Sequence, residues 1–248
     1  MFFFFPMVPM MNPILIAAAV LPAVFLLVKV YRADRLEREP PMLLVSLVLY
    51  GILATGLALL TERLGTFLLD IFVRQDTVLY NVLLYFVVVA FSEEGFKYLL
   101  LKRRTWNSPA FNCQFDGVVY ATFVSLGFAL WENIGYVIRY GFSTAVVRAV
   151  TAIPGHACFG VFMGAWYGLA KRYDNMGCAS QSKACRFLSF FLAAFAHGCY
   201  DYIATMDSVH YGWIFVAFIA VMFAAAFVVI HKMSKNDRFI SQRTYYDL

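Results

Sequence analysis

Long apolar runs separated by short polar connections dominate the pattern of this chain. The runs cover about Pro13 to Val30, Met42 to Leu60, Tyr80 to Arg104, Gly117 to Ile138, the stretch from Arg148 to about Ala170, Phe187 to about Thr205, and Gly212 to Ile230. Each approximates the roughly 20 residues that a helix needs to cross a hydrocarbon layer about 30 Å thick. A spanning segment must satisfy its own backbone hydrogen bonds, so helices are the predicted form. The fold class is therefore all-α: a polytopic transmembrane helical bundle of seven spans. Thr61 to Thr77 is only partly apolar and is expected to lie at the interface as a short helix. Eight spans result if it crosses or re-enters.

The first run has no positive residue before its apolar core and is followed by a basic stretch, so it is read as a retained span rather than a cleaved leader. Pro22 within it lacks an amide donor and is expected to kink the helix.

Composition agrees with the pattern: 62% of residues are hydrophobic, 18% aromatic and only 14% charged, which marks an integral membrane protein. The net charge of +5 does not point to nucleic acid, because the basic residues sit in short groups between apolar runs. They cluster after spans one, three, five and seven and thin out after spans two, four and six. Lys and Arg favour the cytoplasmic side, which places the N-terminus outside and the C-terminus in the cytoplasm of a multi-pass protein of the cell membrane. Residues 1–231 are expected to form one membrane-embedded helical domain, and 232–248 a polar cytoplasmic tail. The five cysteines show no metal-binding or disulfide spacing.

Against this background the ionisable residues inside the runs stand out, since such groups are costly in hydrocarbon and mark functional sites. They are Glu93, Glu94, Glu132, His156, His197 and Asp201. At about 1.5 Å of rise per residue, Glu93 lies roughly 15 Å from Arg103, Glu132 roughly 10 Å from Arg139, His156 roughly 12 Å from Arg148, and His197 roughly 16 Å from Arg186. These depths permit one site between the membrane centre and its outer third. His197 and Asp201 share a helix face at i,i+4. Glu93 and Glu94 diverge by about 100° around the helix. Lys97 follows them by four and three residues, so a salt bridge to Lys97 is the structural alternative for one of the two. His156, Gly160, Gly164 and Gly168 recur every four residues, a ridge suited to close helix packing.

This chemistry suits a carboxylate that activates water in a partly dry pocket. His156, His197, Asp201 and Glu132 are also ligand types for a catalytic divalent metal such as zinc, although no HExxH motif is present. A proton-coupled transporter and a noncatalytic membrane scaffold are the alternative readings.

Four segments taken together, Ser92-Glu93-Glu94-Gly95-Phe96-Lys97, Phe128 to Glu132 with Asn133, Pro154 to Gly164, and His197 to Asp201, resemble the PrsW-type intramembrane proteases, which are related more broadly to the CAAX prenyl proteases. The resemblance implies a catalytic core within residues 80–206, with Glu93, Glu94, Glu132, His156, His197 and Asp201 important for cleavage. It also implies a membrane-associated protein substrate, cut near its extracytoplasmic side as in the processing of anti-sigma factors. The cofactor, and which of Glu93 and Glu94 is the base, stay open at this point, as does the oligomeric state.

Overall fold

The computed structural model describes residues 13–206 and 209–240. The first twelve residues and the last eight of the expected tail lie outside the described residues. The chain forms α1 (Pro13–Ala33), α2 (Pro41–Phe72), α3 (Val78–Val82), a π-helical turn region (Leu83–Ala90), α4 (Phe91–Thr105), α5 (Asp116–Tyr140), α6 (Phe142–Val150), α7 (Ala152–Asn175), α8 (Ala179–Ala204) and α9 (Val209–Lys235). α3, the π-helical region and α4 run on as one span, as do α6 and α7, giving among the described residues seven segments long and apolar enough to cross a membrane.

The segment after Leu60 departs from the sequence expectation. Thr61 to Phe72 continues α2 instead of forming a separate interfacial helix. No proline interrupts it, and Thr61 Oγ1 donates to the Ala58 carbonyl 2.9 Å away, within the helix. α2 is thus 32 residues long, roughly 48 Å, and still makes one crossing. The expected connection from Arg139 to Arg148 is also mostly helical. Gly141, at φ 84°, supplies the left-handed turn that ends α5, and α6 begins at the next residue.

α5 is the central helix. From Asp116 to Ala129 every residue is buried, and the helix packs on α7, α2 and α1. Glycines make this possible. A Cβ built on Gly160 of α7 would lie 2.8 Å from the Thr122 Cα, and one on Gly117 of α5 would lie 2.6 Å from the Gly168 amide nitrogen. Gly164 faces the Gly117 carbonyl in the same seam, and Gly51 of α2 meets the Val124 carbonyl. Backbone therefore packs against backbone along the glycine ridge expected from the sequence. Large apolar side chains such as Leu53, Phe67 and Phe72 of α2 and Phe187 and Phe191 of α8 stay on the outside, the arrangement that suits a lipid surround.

The end of α9 is stitched to the rest of the bundle. The Ser234 hydroxyl donates to the Ala33 carbonyl, the Gln114 amide to the Arg238 carbonyl (3.1 Å), and the Ile240 amide to the Asn112 carbonyl. Residues 236–240 thus pair with the loop before α5, and Ile240 is buried.

Replacing Gly164 by Ala is expected to lower stability by about 1–3 kcal/mol through overpacking of the seam. Gly56→Ala, whose new Cβ meets nothing within 4 Å, is expected to leave it unchanged or slightly raised. Thermal unfolding of the purified protein in detergent compares the two.

Candidate functional site

Four helices bring their ionisable residues to one place, in the half of the bundle away from the connections rich in Lys and Arg. α4 starts there with Glu93 and Glu94, and α7 starts there with His156. α5 and α8 run toward it from the basic side and present Glu132, and His197 with Asp201. All six residues singled out in the sequence belong to this cluster.

At its centre is Lys97. Its ammonium lies 2.7 Å from Glu94 Oε1, 3.2 Å from Glu93 Oε2 and 3.2 Å from His156 Nδ1, and 3.9 Å from the centre of the Phe128 ring. The side chain is 1% exposed. Both glutamates are held by this one lysine, so the choice posed by their spacing has no single answer: Lys97 pairs with each.

The hydrogen bonds assign the His156 tautomer. An ammonium can only donate, so Nδ1 accepts from Lys97, and Nε2 carries the proton that it donates to Glu132 Oε2 at 3.0 Å. Glu132 also accepts from Arg148 at 2.7 Å, and Arg148 Nε donates to Asn133 Oδ1 at 2.9 Å. The Asn133 amide group in turn donates to the Ala19 carbonyl, 2.8 Å away on α1. The chain Ala19, Asn133, Arg148, Glu132 thus fixes the His156 ring and keeps the Nδ1 lone pair facing the glutamates.

His197 is held differently. Nδ1 lies 2.9 Å from Glu94 Oε1 and Nε2 lies 3.3 Å from Asp201 Oδ2, with carboxylates at both nitrogens. The ring stacks on Phe159, with centroids 4.7 Å apart and planes at 15°, and stands edge-on to His156. Gly198 next to it admits Phe86 of the π-helical region, whose ring carbons would lie 2.8 and 2.9 Å from a Cβ there. π-helical turns recur at functional sites; this one ends three residues before Glu93.

The centre is graded in exposure. Glu94 is fully buried, whereas the side chains of Glu132 and Asp201 are 21% and 23% exposed. Four carboxylates, Glu93, Glu94, Glu132 and Asp201, surround two permanent cations, Lys97 and Arg148. Glu62 of α2 adds a further carboxylate, close enough to interact electrostatically with Glu93, Glu132, His197 and Lys97. His197, with a carboxylate at each ring nitrogen, is placed to supply a third positive charge.

Donor atoms of Glu93, Glu94 and His156 lie within 4.8 Å of one another, a spacing that admits a metal ion. Glu94 Oε2 is buried without a hydrogen-bond partner. Of the four ligand candidates read from the sequence, His156 falls in this tight group; Glu132, His197 and Asp201 lie around it. Arg148 and Glu62 were not singled out in the sequence. Arg148 sits at the end of an apolar run and reads as a topology signal, and Glu62 falls in the segment taken as interfacial.

Comparison with known proteins bears on this centre. The model of the PrsW family of intramembrane metalloproteases matches residues 39–230. The chain is similar to Protease PrsW of Halalkalibacterium halodurans, at 31% identity over 231 residues that cover 90% of this chain and 99% of the relative. It is also similar to Protease PrsW of Geobacillus kaustophilus, at 32% identity over 76% of this chain and 79% of the relative. The Bacillus subtilis Protease PrsW is 29% identical over 81% of this chain and 86% of its own length. No solved structure gives a significant match. With seven membrane-spanning helices around a buried cluster of carboxylates and histidines, and a family match over most of its length, the chain belongs to the PrsW family of intramembrane metalloproteases.

Proposed function

We propose that the Lys97-centred cluster is the peptidase centre and that Glu93 is the general base. The observation that carries this reading is the convergence of Glu93, Glu94 and His156 donor atoms within 4.8 Å. Glu93 retains some exposure whereas Glu94 has none, which favours Glu93 for contact with water. In the reaction, Glu93 takes a proton from water as its oxygen bonds to the scissile carbonyl carbon. The proton then passes to the amide nitrogen as the C–N bond breaks, leaving a carboxylate and an amine.

The orphaned Glu94 oxygen fits a divalent metal, with zinc the natural occupant of a mixed His and carboxylate set, and His156 Nδ1 would join it once Lys97 gives up its hydrogen bond to that nitrogen. Glu94 and His156 would hold it. When bound, such a metal polarises the carbonyl and acidifies water. The Lys97 ammonium holds the same oxygens and nitrogen, a cation already accommodated at this position. His197, braced by Asp201 and Phe159, holds Glu94 in orientation, and Arg148 does the same for Glu132 and His156. With the basic connections in the cytoplasm, the centre lies in the outer half of the membrane. Its substrate class is then a membrane-anchored protein cut near the extracytoplasmic surface.

Glu93→Gln is expected to lower cleavage by about 10²–10⁴-fold while leaving the melting temperature near that of the wild type. The readout is a proteomic comparison of membrane fractions from cells carrying either protein. A truncated membrane protein appearing equally with both would remove Glu93 from its role. Dialysis against a chelator is expected to abolish cleavage in detergent, and added Zn²⁺ to restore it; activity that persists after metal analysis shows an empty protein would rule out the metal. Arg148→Ala leaves Glu132 without its cation and is expected to cost about 3–5 kcal/mol. The double variant Arg148→Ala/Glu132→Gln is expected to regain stability without regaining activity, as read by melting and by cleavage in parallel.

A further inference from the structure

A second group of carboxylates lies at the opposite end of the bundle. Asp34 and Glu39 come from the connection between α1 and α2, Asp116 opens α5, and Asp237 follows α9. Asp116 is 16 positions before Glu132 on the same helix, roughly 24 Å along its axis, so this group is separate from the peptidase centre. One oxygen each from Asp34, Glu39 and Asp116 lies within 4.8 Å of the others, and Asp116 and Asp237 form a second such group with Cys113.

The hydrogen bonds of these residues follow a common pattern. Glu39 Oε2 accepts from the Tyr120 hydroxyl at 2.6 Å. Asp116 Oδ2 accepts from the amides of Asn112 and Cys113 at 3.0 and 2.7 Å. Asp237 Oδ1 accepts from the amides of Phe115 and Arg238 at 2.9 and 2.8 Å. In each carboxylate one oxygen is anchored, and the other, Glu39 Oε1, Asp116 Oδ1 or Asp237 Oδ2, is buried without a donor, the Glu39 and Asp116 carboxylates lying within hydrogen-bonding reach of each other. Asp34 is 4% exposed and neither of its oxygens has a partner. Among the described residues no lysine or arginine forms a salt bridge with any of the four.

Buried carboxylates without partners are costly, and oxygens anchored on one side and free on the other are how proteins orient metal ligands. We propose that Asp34, Glu39 and Asp116, with Asp237 alongside, form a binding site for a hard divalent cation, Mg²⁺ or Ca²⁺. The carboxylate-rich donor set selects this class. The bound cation ties together the α1–α2 connection, the start of α5 and the end of α9. It thereby fixes the helix that carries Glu132.

The test is Mn²⁺ binding by electron paramagnetic resonance, using the purified full-length protein in detergent after chelator stripping. The wild type should bind Mn²⁺ displaceably by Mg²⁺ or Ca²⁺, and a Glu94→Gln/His156→Ala variant should keep that site. Asp34→Asn breaks no hydrogen bond and should weaken it by at least about tenfold, while melting no lower than the wild type in metal-free buffer. Cys113→Ser should retain it. Added Mg²⁺ should raise the melting temperature of the wild type and not that of Asp34→Asn. The proposal is overturned if Asp34→Asn and Glu39→Gln both bind Mn²⁺ as the wild type does. It is equally overturned if the site takes only Zn²⁺ and loses it in Cys113→Ser. A wild type that binds no metal here and is stabilised by acidification alone would show that the carboxylates share protons instead.

Discussion

A single ammonium group holds the centre of this membrane protein together. Lys97 reaches Glu93 and Glu94 one turn back on its own helix and His156 on another. Deep in a low-dielectric bundle none of these groups could be buried alone at a tolerable cost, because an isolated charge there loses its hydration without return. Together they are mutually required. Each neighbour inherits a constraint from this: His156 must face Lys97 with an unprotonated nitrogen, so it needs an acceptor for its other one, and Glu132 supplies it. Glu132 then needs Arg148, and Arg148 needs Asn133. The polar chain leads from the centre to the α1 backbone in four side chains, each holding the next in position.

The same logic explains why the hydrophobic architecture is arranged as it is. Charged groups can be neutralised only if their helices approach closely enough, and the glycine seam between α5 and α7 brings the helix bearing Glu132 against the one bearing His156. The aromatic rings of Phe128 and Phe159 close the remaining sides, one below the ammonium and one stacked on His197. Packing and electrostatics thus serve a single geometry.

Much of this was legible in the sequence, for identifiable reasons. Spans were visible because crossing hydrocarbon demands length and apolarity, and Glu93, Glu94, Glu132, His156, His197 and Asp201 were visible because ionisable residues are rare in such runs. The glycine spacing from Gly160 to Gly168 was visible as a local period. Arg148 and Glu62 were not, since a charge near the end of a span looks like an ordinary boundary residue until its direction is known. Nor were Asp34, Glu39 and Asp116 separable from ordinary polar linker residues. Their burial arises only when two connections distant in the chain fold over one another and the end of α9 closes the space. The continuity of α2 past Leu60 was hidden by Glu62 and Arg63, which suggested an interface where the helix simply goes on with Glu62 toward the cluster.

The seam of α5 and α7 also divides the bundle by stiffness. Helices that interlock backbone to backbone cannot part by rotating a few side chains; separating them would expose carbonyls and amides lined up along both. α4, α8 and the π-helical region meet instead through aromatic rings such as Phe86, Phe91 and Phe190. One membrane bundle thus joins a pair locked through its backbones to a seam made of side chains alone.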